Sequence, residues 1–175
     1  MQLLIGCGNS RTKKMFDDAR GSEWRDLVTL DVDPSCRPDV VHDLESLPLP
    51  FADDSAAEVH AYEVLEHCGR QGDWRFFFAQ FAEFWRVLEP GGMLFASVPR
   101  HDSEWAWGDP GHTRVIPPHA LLFLHQPAYS EQVGKTAMTD YRSVYRADFD
   151  AHHTQVHGAN LFFVLQAIKP SRVSV

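Results

Sequence analysis

Seven of the ten histidines in this chain of 175 residues follow residue 100, and two of them share one polar stretch, "PRHDSEWAWGDPGHTRV". His101, Asp102 and His112 are the side chains there that can take a proton from a hydroxyl or an ammonium group near neutral pH. Arg114 closes the stretch. A histidine of this kind is inert when it is only a solvated loop residue, and Trp105 and Trp107 either wall an apolar pocket or pack beneath the loop. A second candidate site lies at the start, in "LLIGCGNSR". An apolar run enters a turn with Gly6 and Gly8, where bare backbone can approach a ligand. Asp31 stands 23 positions after Gly8, and a carboxylate at that place accepts two hydrogen bonds from a ribose diol. Asp43, Tyr62 and Glu63 end later apolar runs in the same manner. His152, His153 and His157 invite a metal reading, but strand and turn are expected there, which breaks their alignment. The cysteines, Cys7, Cys36 and Cys68, form no CxxC pair, so no metal site is expected and the thiols read as reduced.

The elements that must position these groups are legible in outline. Short apolar runs at 2–5, 26–30, 39–42, 57–62 and 93–99 read as five strands. "DWRFFFAQFAEFWRVL" at 73–88 places Trp74, Phe77, Phe78, Phe81, Trp85 and Leu88 on one helical stripe, with Asp73 as its N-cap and Pro90-Gly91-Gly92 as its stop. That stripe is core. Strands alternating with helix or loop imply a parallel sheet. A short helix is expected over 118–125 and two strands over 143–151 and 160–168, with "HHTQVHG" as an antiparallel connection. Lys13 and Lys14 read as a solvated helix face. The length suits a single domain: a ligand-binding half over 1–99, a substrate or lid segment over 100–142 that carries Trp105, Trp107, Phe123 and Tyr129 across the mouth, and a strand pair over 143–170.

A formal charge of −8 and the lack of a basic stripe argue against a duplex nucleic-acid partner. No apolar stretch is long enough to span a membrane, and the start has no signal-peptide pattern, so a cytoplasmic protein acting on a small molecule is expected. The oligomeric state is not readable. The glycine turn lacks the third glycine of a dinucleotide fingerprint, because Arg11 stands there.

"LLIGCGNS", "LVTLDVDPS", "DVVHDLESLPLPFADDSAAEVHAYEVLEH" and "FWRVLEPGGMLFASVP", in that order over residues 2–99, resemble the class I S-adenosylmethionine-dependent methyltransferases, nearest their small-molecule group. The resemblance implies a Rossmann-like α/β fold: a mixed seven-stranded sheet, six strands parallel and one antiparallel, with helices on both faces and the N-terminal helix truncated. It implies S-adenosylmethionine as cofactor. Gly6, Cys7 and Gly8 would meet its methionine part, Asp31 the ribose hydroxyls, and Val32 the adenine. Asp43 would accept from the adenine amino group, and the Leu44 backbone would meet a ring nitrogen. Glu63 to Glu66 would border the methyl-transfer site, with His67 either facing the substrate or bracing the chain. "DPGHTR" resembles a D-P-x-H-x-R segment of some bacterial members. The acceptor would be a small molecule or a glycan-like group. "AYEV" at 61–64 lacks the signature of adenine amino-methyltransferases. Departures at Leu4, where the family carries an acid, and at Ser10, where it carries a glycine, keep a non-catalytic partner subunit open as an alternative. A pyridine-nucleotide oxidoreductase is the weaker rival.

Overall fold

A computed structural model describes residues 1–173. Its seven strands are β1 (Gln2–Ile5), β2 (Leu27–Asp31), β3 (Val40–Val41), β4 (Ala56–Tyr62), β5 (Leu88–Pro99), β6 (Phe149–His157) and β7 (Asn160–Ala167). They form one sheet in the order β3-β2-β1-β4-β5-β7-β6. β7 alone runs antiparallel to its neighbours, as expected. The interior strand β1 is buried along its whole length. Leu3 and Ile5 enter one hydrophobic cluster and Leu4 enters the other, which is why the run reads as continuously apolar.

Helix α1 (Trp74–Val87) covers the larger cluster. Asp73 caps it by accepting from the Phe76 backbone N–H at 3.1 Å. Phe78, Phe81, Phe84 and Val87 are buried against Leu3, Val59, Ala61 and Leu94. A 3-10 helix at Pro118–Leu124 continues after His125 into α3 (Gln126–Gln132), a longer run than the helix expected at 118–125. Phe123 and Tyr141 lie beside Trp74 and Phe78 on the α1 face. The remaining helix, α2 (Trp105–Gly108), is a single turn.

Helices on both faces were expected; the second face instead carries the extended segment 9–26. Its side chains substitute for a helix by tying it directly to the sheet. Met15 N–H donates to the Tyr62 hydroxyl at 3.0 Å, and Arg20 donates to the Ala57 and Gly91 carbonyls at 3.2 and 2.9 Å. Lys13 is not solvated: its ammonium meets Glu58 at 2.8 Å with both side chains buried, while Lys14 is exposed and lies over the Tyr62 ring. Glu58, His60 and Tyr62 alternate along β4, so all three face this segment. His60 stacks on Phe95 and meets the edge of Trp24.

β6 departs from the expected 143–151. It spans Phe149–His157, so most of "HHTQVHG" is strand and the connection shortens to Gly158-Ala159. Residues Ala151 to His157 are all exposed on this edge strand. A polar edge strand resists pairing with other chains, and it has no apolar alternation to announce it.

Candidate functional site at the carboxyl edge of the sheet

The parallel strands end at one rim, where ligands of open α/β sheets bind. Gly6 leaves β1 with φ +59°, and a Cβ on it would sit 2.3 Å from the Val64 side chain, so glycine lets the β1 and β4 turns approach each other. Gly8 also has a positive φ. Asp31 stands at the end of β2 and ties the turn after β1 to the turn after β2. One carboxylate oxygen accepts the Gly8 N–H at 2.8 Å, and the other accepts the Asp33 N–H at 3.0 Å. Arg11, at the place of the third glycine, donates to the carbonyls of Gly8, Cys36 and Arg37 at 2.7, 2.9 and 3.1 Å. A guanidinium fork thus supplies what closer helix packing would otherwise supply.

Cys7, Val32, Asp43, Leu44 and Glu63 lie on the same rim. Cys7 is buried between the glycines, and burial pushes its thiol pKa up. Val32 is 63 % exposed, an uncovered apolar side chain next to Asp31. Asp43 is exposed after β3, and Leu44 turns its side chain into the core, which leaves its backbone at the rim. Glu63 follows β4 with φ +52°, rare for a non-glycine residue, and its carboxylate accepts from the Ser97 hydroxyl. These positions fit S-adenosylmethionine: a close-approach turn for its amino-acid end, a carboxylate for its diol and an exposed apolar side chain for its base.

The proton-handling candidates separate. His101 and Asp102 are both exposed; Asp102 pairs with Arg100, and the His101 carbonyl accepts from Trp107. His112 goes elsewhere. The "DPGHTR" strap crosses the 3-10 turn Leu65–His67, where Thr113 N–H donates to the Glu66 carbonyl at 2.9 Å and Arg114 Nε to the Leu65 carbonyl at 2.8 Å. This brings His112 beside His67, with ring centroids 4.7 Å apart, and places both near Glu66. His67 therefore does brace the chain, by a 3.0 Å hydrogen bond between Nδ1 and the Gly111 carbonyl. Glu66 is 2 % exposed, and neither carboxylate oxygen has a hydrogen-bond partner. Burial pushes its pKa up to about 8. Sequence reasoning held Glu66 only as part of a bordering run; its burial depends on the strap, 46 residues downstream by the Glu66–His112 spacing.

Trp105 and Trp107 are exposed, so neither walls a pocket. Phe123 and Tyr129 pack on the α1 side, and residues 118–142 do not form the expected cover over the mouth. His152, His153 and His157 line an open hollow of about 550 Å³ on the second face, with Phe16, Met93 and Val164. None of Gly6, Gly8, Asp31, Asp43 or Glu63 lines it.

Arg114 is the strap's anchor. Its buried guanidinium also donates to Gln80 and lies over the Phe76 ring, and burial lowers its pKa to about 10. Arg114→Lys keeps the charge but loses the fork. The expected result is a loss of about 1–2 kcal/mol in urea unfolding, with the His67–His112 pair loosened; an unchanged midpoint would show that the strap holds without it.

A family model described as a methyltransferase domain matches residues 3–96, more than half of the chain. No curated protein matches the sequence. Among solved structures, the chain resembles the N-methyltransferase NodS of Bradyrhizobium japonicum in complex with S-adenosyl-L-homocysteine. The TM-score is 0.56 at 15 % identity, covering 95 % of this chain and 76 % of that one. It also resembles the YcgJ protein of Bacillus subtilis, with a TM-score of 0.58 at 12 % identity, covering 97 % and 92 %. A third resemblance is to a SAM-dependent methyltransferase of Archaeoglobus fulgidus, with a TM-score of 0.55 at 12 % identity, covering 94 % and 84 %. With the glycine turn, the rim carboxylates and the strand order already in place, the chain belongs to the class I methyltransferases, whose cofactor is S-adenosylmethionine.

Proposed function

We propose that this protein transfers a methyl group from S-adenosylmethionine to a hydroxyl-bearing small molecule or glycan-like acceptor. The carrying observation is that Glu66, His67 and His112 converge at the rim that also holds Gly6, Gly8, Asp31 and Glu63. The cofactor supplies an electrophilic methyl on a sulfonium whose departure leaves a neutral thioether. The protein's work is then to align the acceptor and receive its proton.

In this reading Gly6, Cys7 and Gly8 hold the amino-acid end, Asp31 the ribose hydroxyls, and Val32, Asp43 and Leu44 the adenine. The acceptor sits over the turn after β4, between Glu63 and the strap at 109–114. The acceptor oxygen bonds to the methyl carbon as the carbon–sulfur bond breaks, and its proton is lost at the His67–His112 cluster. Within residues 100–117 the strap at 109–114 forms the acceptor wall, and the exposed Trp105 and Trp107 stay outside it. His101 and Asp102, the other catalytic candidates, are exposed and are not needed for this step. Among the described residues no helix is long and apolar enough to cross a membrane.

The test pairs binding with turnover. S-adenosylhomocysteine should raise the melting temperature and NAD should not. A screen of hydroxylated small molecules and sugars should yield a methylated product. His112→Ala should lower turnover about a hundredfold, the lower range for a positioned proton acceptor, with S-adenosylhomocysteine affinity within twofold of wild type. A chain that binds the cofactor but methylates nothing, with His112→Ala indistinguishable, fits the partner-subunit alternative.

A further inference from the structure

The cluster at Glu66 poses a question that proton transfer does not answer. Three acceptors face one another. His67 Nδ1 is 3.0 Å from the Gly111 carbonyl, and His112 Nδ1 is 2.8 Å from the Trp105 carbonyl. A carbonyl only accepts, so each Nδ1 carries the proton and each Nε2 presents a lone pair. Glu66 adds two carboxylate oxygens with no partner in a side chain that is 98 % buried by its 2 % exposure. One ligand atom from each of the three residues lies within 4.8 Å of the others. The empty site holds at most one proton, on the Glu66 carboxyl, for acceptors on three residues. A water has two protons for three acceptors. A cation satisfies all three at once.

The second sphere points the same way. Metal-bound histidines almost always donate their other ring N–H to a carbonyl or carboxylate, which fixes the tautomer and the ring. Both histidines here do so. Asp109 lies 3.8 Å from His112 Nε2, near enough to complete or shield the site. The strap fixes the spacing, since Thr113 and Arg114 both donate to the Glu66 carbonyl.

We infer that Glu66, His67 and His112 form a binding site for one first-row divalent metal ion of the zinc type, with a coordination position left open toward the rim. Two imidazoles and a carboxylate suit zinc and its neighbours better than calcium or magnesium, which prefer all-oxygen shells. This replaces the sequence expectation of no metal. Metal uptake itself does not depend on the proposed reaction; the placement of an acceptor in the open position does. With the ion bound, an acceptor hydroxyl there loses its proton more readily and to water; His112 Nε2 takes the proton only while the ion is absent, since its lone pair is otherwise used as a ligand.

The experiment uses the full chain, stripped by chelator, with Co²⁺ as the probe and Zn²⁺ as competitor. One equivalent of Co²⁺ should bind, with visible d–d absorption that Zn²⁺ displaces. His67→Ala alters an exposed side chain with one hydrogen bond and should fold; it should weaken Co²⁺ binding at least tenfold, as should His112→Ala and Glu66→Gln. The combined variant His152→Ala, His153→Ala and His157→Ala removes the other histidine group and should keep the full equivalent. No stoichiometric uptake by wild type, or uptake unchanged in His67→Ala, would overturn the assignment. Calorimetry with S-adenosylhomocysteine on the same samples reads the cofactor site separately: its failure would strike the methyl-transfer reading and leave the metal result standing.

Discussion

Asp31→Ala should weaken S-adenosylhomocysteine binding at least tenfold by calorimetry. Hydrogen bonds from ribose hydroxyls to a carboxylate are charge-assisted, worth about 1.5–3 kcal/mol each, and two are lost together. Asp31 also holds the Gly8 and Asp33 amides, so part of any effect could come from a loosened turn. Two further measurements separate these causes. Asp31→Asn keeps one acceptor oxygen, for Gly8, while losing charge and turning its NH2 toward the Asp33 N–H; it should lower the melting temperature less than Asp31→Ala does and still bind several-fold more weakly. A 2′-deoxy analogue of S-adenosylhomocysteine should bind wild type more weakly than the parent, yet bind Asp31→Ala no more weakly than the parent does. Unchanged affinity in Asp31→Ala would move the ribose contact to another rim residue.

The residues behind that prediction were readable because their roles are local. Gly6, Gly8 and Asp31 sit at the ends of β1 and β2, whose apolar runs announce themselves, and the acid follows the run by one step. Helix α1 was equally plain, since Phe78, Phe81 and Phe84 repeat at helical spacing and Asp73 caps it. The metal cluster was not readable as a unit. Glu66 and His67 lie in one turn, but His112 arrives through hydrogen bonds from Thr113 and Arg114 to backbone carbonyls, which accept from any residue type and leave no sequence trace. Edge strand β6 was misplaced for a related reason: with Ala151 to His157 exposed, burial imposes no pattern on it. The segment 9–26 was misread because Lys13 looks like any surface lysine until Glu58 is brought beneath it.

Lys13→Met should cost about 3–5 kcal/mol in urea unfolding at pH 7, the usual loss when one partner of a buried ion pair is removed. The Lys13 and Glu58 side chains are 2 % and 1 % exposed, and the methionine keeps most of the stem while leaving the carboxylate uncompensated. Gln2 and His60 would still donate to Glu58, at 2.8 and 2.9 Å, which places the expectation at the lower end. His60 Nε2 then carries the proton, and its Nδ1 accepts from the Tyr62 hydroxyl at 2.6 Å, so the neutral ring is fully used. Burial pushes the His60 pKa below its ordinary value. Burial alone would raise Glu58, but hydrogen bonds from His60 and Lys13, with the Lys13 charge, outweigh it and hold the carboxyl at about 2. Both groups bind protons more readily in the unfolded chain, so both make stability fall as the pH falls. The His60 contribution is present above the unfolded histidine value of about 6.5 and fades as pH falls below it. The Glu58 contribution fades between about 4.5 and 2. Wild type should therefore lose stability in two stages on acidification. Lys13→Met should flatten the lower stage, because Glu58 without its ammonium partner titrates nearer the unfolded carboxylate. Adding Glu58→Gln to Lys13→Met removes the stranded charge and should recover more than about 1 kcal/mol, a coupling expected of residues in direct contact. If Lys13→Met instead costs under about 1 kcal/mol and the pH profile keeps its shape, the second face is held by Trp24, Met15 and Arg20, and the buried ion pair contributes little.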